Sequence, residues 1–212
     1  MIPLTLKLKR KMHKDIAYAQ DLIIEDLYNY FPKTVLHGGT AIWRCYSGNR
    51  FSEDIDIYIK KDKEKIENFF KHLEKKGFRI IKRRIKENSF YSVLKFGTVS
   101  IRLEAIFKNV KHFILKEYET SESIFINVYT LSPEDLVIEK VNAYLKRKKI
   151  RDLYDIFFLL KYAKRKKIIE PLKKLIKNFN KPEDEETLKN IIITGLIPNS
   201  KKIIDYIERW AK

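Results

Sequence analysis

The sequence predicts an α+β chain, with strands and helices mixed in the amino-terminal half and helices alone in the carboxyl-terminal half. Three observations carry that reading. Several short stretches between Thr34 and Thr130 alternate apolar and polar residues with the period of two of a half-buried strand. From Ser132 onward the apolar residues recur instead at intervals of three and four. No internal repeat or low-complexity linker separates the halves, so 1–131 and 132–212 are expected to pack together as an α+β domain and a helical domain.

Element by element, 14–30 sets Ile16, Ala19, Ile23 and Leu27 on one helical face, and Pro32 closes it. A short strand is expected at 34–37, a glycine turn at Gly38-Gly39-Thr40 and a short helix at 41–46. The strict alternation of 52–59 puts Ile55, Ile57 and Ile59 on one face of a strand and Asp54, Asp56 and Tyr58 on the other. Helical spacing returns at 61–76, with Ile66, Phe69, Phe70 and Leu73 inward and Gly77 as the stop. Strands at 89–96 and 99–107 flank Gly97-Thr98, the mark of a hairpin. In the second of them Ser100, Arg102 and Glu104 face opposite to Val99, Ile101, Leu103 and Ala105. A last strand is expected at 124–130. Ser132-Pro133-Glu134-Asp135 supplies a side-chain cap, a proline at the first helical position and acids in the first turn. Helices follow at 133–146, 151–163, the 168–179 region and 200–210, and 183–186 reads as a solvated acidic loop or helix start.

Composition narrows the function classes. The single cysteine, Cys45, cannot form an internal disulfide, which points to a reducing cytoplasm. Lysines and an arginine break up the apolar residues of 1–14, so no signal-peptide core is present. The longest uncharged stretch, 123–133, is too short for the ~18 apolar residues of a membrane span. Against 28 acidic residues stand 45 lysines and arginines, a net charge of +17. Such a surface concentrates polyanions, RNA, DNA or nucleotides first among them. The same excess is also a whole-proteome habit of some thermophiles, and charge alone does not separate the two readings.

The chemistry concentrates in Gly38-Gly39-Thr40 and, after the short helix, Arg50-Phe51-Ser52-Glu53-Asp54-Ile55-Asp56. A Gly-Gly pair is commonly only a turn, and an Asp-x-Asp only a solvated strand face. Together they have a mechanism: glycines let backbone N–H groups approach a triphosphate, while two aspartates on one strand face share divalent cations with it. Two ions ~3.5–4 Å apart need a third carboxylate, and Glu104 is the candidate on a later polar strand face. An ion pair of Glu104 with Arg102 or a lysine is the structural alternative. In the helical half, Lys140, Tyr144, Arg147 and Arg151 would form one stripe if the helix from Ser132 ran unbroken. A break before Arg151 would instead make Asp152 a cap, with Asp155 one turn along and able to pair with Arg151. His13, His72 and His112 show no metal-ligand spacing; His37 reads as a strand-end residue packing on the turn, with contact to a nucleotide as the alternative, and Cys45, Trp43 and Trp210 read as core.

The order Gly38-Gly39-Thr40, Asp54-x-Asp56 and a later strand acid resembles the polymerase-beta-type nucleotidyltransferase superfamily. Arg50-x-Ser52-x-Asp54-x-Asp56, Lys140-x-x-Ala143 and Arg151-Asp152-Leu153-Tyr154-Asp155 resemble, within it, the AbiEii branch of type IV toxin–antitoxin systems. The motifs span more than half of the chain, and their combination in this order is specific where no single one is. The resemblance implies a mixed sheet carrying the site and a helical domain closing over a nucleoside triphosphate. It also implies magnesium, as two ions, or manganese, held by Asp54, Asp56 and Glu104. Gly38, Gly39, Thr40, Ser52, Lys140, Arg151 and Asp152 become expected nucleotide-binding residues, and Asp155, with Asp152, an expected polar or proton-handling group at the acceptor. The implied acceptor is RNA, in some relatives the 3′ end of tRNA, and the implied partner is a separate antitoxin. Two other readings remain open on these residues. One is a nucleotidyltransferase acting on a small molecule, whose usual cationic acceptors would favour a less basic chain. The other is an RNA- or nucleotide-binding module without chemistry, against which the presence of all three acids counts.

Overall fold

The computed structural model describes residues 3–212. The elements are α1 (Leu4–Lys7), α2 (Lys11–Tyr30), β1 (Val35–His37), α3 (Gly38–Cys45), β2 (Ile55–Ile59), α4 (Lys63–Lys75), β3 (Arg79–Ile85), β4 (Ser89–Phe96), β5 (Val99–Phe107), β6 (Ile114–Glu119) and β7 (Phe125–Thr130). The helices α5 (Pro133–Arg147), α6 (Ile150–Leu159), α7 (Arg165–Lys177), α8 (Leu188–Ile191) and α9 (Ser200–Ala211) follow. The chain divides into two compact units: Met1–Ser47 with Phe51–Thr130, and Gly48–Arg50 with Leu131–Lys212.

In the first unit one sheet carries all seven strands in the order β3-β4-β5-β2-β1-β7-β6. The sheet is mixed: β2 runs parallel to β5 and β1 parallel to β7, while the remaining neighbours are antiparallel. One face is closed by apolar residues. Ile55, Ile57, Ile101, Leu103 and Leu94 bury there with Ile23 and Leu27 of α2 and Phe69 and Phe70 of α4. The alternation within β5 leaves Ser100, Arg102 and Glu104 exposed on the other face. Helix α4 is capped by Asp62, whose carboxylate accepts from Lys65 N–H at 3.1 Å, and it stops at Gly77, whose φ of +96° only glycine adopts readily.

Three features depart from the sequence reading. The glycines 38 and 39 form the first turn of α3 itself rather than a turn before it. Strand β3 exists although its residues do not alternate, because a bulge between Ile80 and Lys82 breaks the period of two. Strand β6 was not expected: it pairs antiparallel with β7, the last strand of the chain, and forms one edge of the sheet.

In the second unit Ser132 Oγ accepts from Asp135 N–H at 3.2 Å and starts α5 as expected. The helix does not run on to Arg151. Lys148 turns left-handed, with φ of 51°, and α6 begins at Ile150 after the N-cap Lys149, so Asp152 sits in the first turn rather than capping it. The acidic stretch is also not simply solvated. Asp184 accepts from Ile150 N–H at 2.9 Å and Glu185 from Ser200 N–H at 2.6 Å, so these acids terminate α6 and α9 at their positive ends.

Candidate active site

The three acids of the first unit lie on the open face of the sheet. Asp56 and Glu104 are direct partners in the parallel β2–β5 ladder, so their side chains leave neighbouring strands on the same side. Asp54, two residues before Asp56, shares that side. Continuing the register by one step brings Asp54 beside Arg102, and the Arg102 guanidinium forks onto its carboxylate, Nε donating to Oδ1 at 2.6 Å and Nη2 to Oδ2. That hydrogen bond to Asp54 raises the already high pKa of Arg102, as does the nearby charge of Glu104. The polar face is thus an alternating array of carboxylates with one guanidinium among them.

The first turn of α3, which follows β1, is built to hold the aspartates. Gly38 has a φ of +71°, and a Cβ added there would run into Asp56 Oδ2. The missing side chain therefore makes room for the Asp56 carboxylate at the first residue of α3, where free backbone N–H groups favour negative charge. Thr40, fully buried, donates its hydroxyl to the Asp54 carbonyl. On the other side of Asp54, Gln20 Nε2 of α2 donates to the Ser52 carbonyl at 3.0 Å, so Ser52 is held through its backbone. His37 stacks on Tyr58 with ring centres 4.0 Å apart. Cys45 is buried, and desolvation pushes its thiol up to about 12, so it is no nucleophile. We expect Gly38→Ala to cost about 1–2 kcal/mol of stability through its backbone. It should also lower activity at least tenfold by displacing Asp56, as equilibrium unfolding and a transfer assay on the same preparation will show.

As they stand, no three His, Cys, Asp or Glu side chains among the described residues are close enough to enclose a metal ion. The donor set suits one nonetheless: it is all carboxylate oxygen, the register brings the three acids to one face, and Arg102 already supplies positive charge at Asp54. A cavity of about 360 Å³ between Tyr30 and Lys65 lies at the other end of β2 and shares no residue with this array.

The motif residues of the second unit form a separate buried network. Arg50 grips Asp155 with both ends of its fork, Nε to Oδ1 at 2.5 Å and Nη2 to Oδ2 at 2.6 Å. Lys140 Nζ lies 2.7 Å from Asp155 Oδ2 and 3.5 Å from Asp152 Oδ1. Arg147, itself exposed, completes the chain from the surface with two bonds to Asp152, at 2.7 and 2.8 Å. Burial alone would push the Asp155 carboxyl up, but Arg50 and Lys140 outweigh it and hold the group below the usual carboxylate range. Three cations against two carboxylates leave one positive charge in this network. Arg151 takes no part: it is half-exposed and pairs with no carboxylate among the described residues, so the Arg151–Asp155 pair allowed by the spacing does not form. The role of Arg50 was missed as a site feature. Its signal was its place at the start of the Arg50-x-Ser52-x-Asp54-x-Asp56 motif, while the partner that gives it this role, Asp155, lies 105 residues away.

The model of the AbiEii nucleotidyl transferase toxin family of type IV toxin–antitoxin systems matches residues 23–202. No curated protein sequence matches the chain significantly. Among solved structures, JHP933 from Helicobacter pylori is similar over 92% of this chain and 90% of its own, with a TM-score of 0.62 and 17% identity. The nucleotidyltransferase toxin MenT4 from Mycobacterium tuberculosis is similar over 100% of this chain and 94% of its own, with a TM-score of 0.61 and 16% identity. At such identities the likeness is one of fold.

Proposed function

Since the chain belongs to the AbiEii family of nucleotidyltransferase toxins, we propose that it uses divalent cations to transfer a nucleoside monophosphate from a triphosphate to a hydroxyl of RNA, the 3′ end of tRNA being the expected acceptor. The observation that carries this reading is the convergence of Asp54, Asp56 and Glu104 on one sheet face beside a glycine that makes room for Asp56. Asp54, Asp56 and Glu104 would hold magnesium, or manganese, which when bound supplies positive charge for the triphosphate and for the acceptor oxygen. As the acceptor oxygen bonds to the α-phosphorus, its proton passes to solvent, and the bond from the α-phosphorus to the bridging oxygen breaks, so that pyrophosphate leaves. Asp56, pinned between β2 and Gly38, and Asp54, held through Thr40, arrive preoriented, which is where a protein contributes most to such a transfer.

In the first unit Gly38, Gly39 and Thr40, at the amino-terminal turn of α3, are the groups we assign to the triphosphate; in the second unit Lys140 and Arg151 are the cations we assign to nucleotide binding. Asp152 and Asp155 then act by positioning Lys140, Arg147 and Arg50 rather than by moving a proton, because both are buried and fully engaged by cations. The net charge of +17 suits an RNA acceptor. A separate antitoxin is the expected partner, as the family implies. No helix of the described residues is long and apolar enough to cross a membrane.

The reading is tested by incubating the protein with each labelled triphosphate and total RNA in magnesium, with and without a chelator. It expects labelled RNA with at least one triphosphate and none after chelation; unlabelled RNA with all four would overturn it. A binding measurement addresses the acid array independently of turnover. Arg102 neutralises Asp54 while no cation is present, so Arg102→Ala should tighten Mn²⁺ binding a few-fold by calorimetry, matching an exposed pair worth ~0.2–1 kcal/mol. Binding in Asp54→Asn as tight as in wild type would mean that Asp54 is not a ligand.

A further inference from the structure

On the face of the sheet that carries the acids, the strands toward β3 end in a group of cations with no acidic partner. The ladders fix the rows. Asp56 pairs with Glu104, Glu104 with Tyr91, and Tyr91 with Arg84. In the next row Arg102 pairs with Val93 and Val93 with Lys82, and beyond it Ser100 pairs with Lys95 and Lys95 with Arg79. Paired residues project to one side of a sheet, so Arg79, Lys82, Arg84 and Lys95 share the open face with Asp54, Asp56 and Glu104. Arg83 shows the contrast: it points to the opposite face, where it reaches Glu67 at 3.1 Å and covers the Phe70 ring. Arg79, Lys82 and Arg84 are exposed, and none of the four cations pairs with a carboxylate among the described residues. Between them and the acids stands the half-exposed ring of Tyr91, with Lys82 Nζ 5.5 Å from its centre.

We propose that this face seats the single-stranded 3′ end of the acceptor RNA, with phosphates on Arg79, Lys82, Arg84 and Lys95 and a base on Tyr91. The inference rests on the RNA reading above and deepens it. Three inter-strand steps of ~4.8 Å separate Arg84 from Asp56, about 14 Å. That span holds roughly four nucleotides at a stacked rise of 3.4 Å, so a strand lying along the row Arg84, Tyr91, Glu104 ends at the acids. An open sheet face with one aromatic ring among cations binds unpaired bases by stacking and the backbone by charge, whereas a duplex would bury its bases away from Tyr91. Protection of the β3 edge against strand pairing also calls for cations, but it needs neither their common face nor the tyrosine between them and the acids.

The test compares the triple variant Arg79→Ala, Lys82→Ala, Arg84→Ala with a control of equal charge loss on α7, Lys166→Ala, Lys174→Ala, Lys177→Ala. Binding of a fluorescein-labelled 12-nucleotide single-stranded RNA is followed by anisotropy at several salt concentrations, and transfer by labelled nucleotide. The open-face variant should bind at least tenfold more weakly than the control. Its plot of log affinity against log salt should be shallower by about two, as expected for three lost phosphate contacts at ~0.7 each. The KM for RNA should rise while that for the triphosphate stays unchanged, and unchanged melting curves will show that both variants fold. Tyr91→Leu should weaken binding roughly fivefold or more without altering the salt slope. If wild type binds and labels RNA but the triple variant matches the control, the open-face seat is wrong and the RNA reading stands. If wild type neither binds nor labels RNA, both fall.

Discussion

Asp56→Asn should remove nucleotidyl transfer, lowering the rate by about 10²-fold or more while the protein melts as wild type does. The size follows from the several kilocalories per mole that a correctly held metal contributes, each ~1.4 kcal/mol being a factor of ten. The side chain leaves β2 at the residue paired with Glu104, and its carboxylate fills the space left by the absent side chain of Gly38. An amide fits that space but carries no charge. Asp54→Asn should behave alike, with a further sign of its own: Arg102 loses its counter-charge, so the metal-free protein loses up to ~1 kcal/mol, the range for an exposed pair. Glu104→Gln, exposed and on the neighbouring strand, should also abolish transfer. The measurement is a transfer assay at saturating triphosphate beside thermal unfolding. Wild-type activity in Asp56→Asn would remove the acid array from the chemistry.

Asp155→Asn is expected to act differently, by unfolding the helical unit. It leaves Arg50 and Lys140 buried and short of the carboxylate that both grip, and removing one member of a buried ion pair costs about 3–5 kcal/mol. The denaturation midpoint of the carboxyl-terminal helices should fall accordingly. pH supplies an independent check. The Asp155 carboxyl titrates lower in the folded protein than the 3.8 of a free aspartate. The folded state therefore gains stability above the free-group value, and that gain disappears as pH falls through the folded one. Wild type should lose stability below about pH 4 more steeply than Asp155→Asn, measured by urea unfolding between pH 3 and 6. Parallel profiles would show that the pair contributes nothing to the fold.

What could be read from the sequence divides along physical lines. Helices with a regular apolar face and a side-chain cap, such as α4 with Asp62 and α5 with Ser132, were legible because cap and periodicity are local. The acids were legible strand by strand, because alternation puts Asp54 with Asp56, and Glu104 with Arg102, on the polar side of their own segments, whereas their common face depends on the β2–β5 pairing. Strand β3 was not, since its bulge places Ile80 and Ile81 side by side and dense cations mask the pattern. The alignment of its cations with the acids depends on four-strand register, which no local pattern encodes. Nor could sequence show that Arg50, Lys140 and Asp155 interlock, because that pairing joins segments about a hundred residues apart. The purpose of Gly38 also needed the structure: its freedom serves the carboxylate of Asp56 as well as the turn.

The central claim, that the acid face supports transfer of a nucleotide to RNA, is tested most directly with one triphosphate carrying the label on either its α- or its γ-phosphorus. Incubated with wild type, magnesium and RNA, the α-label should enter the RNA, the γ-label should leave as pyrophosphate, and Asp56→Asn should leave both in the triphosphate. Entry of the γ-label into RNA, or entry of the α-label at an equal rate with Asp56→Asn, would contradict the account.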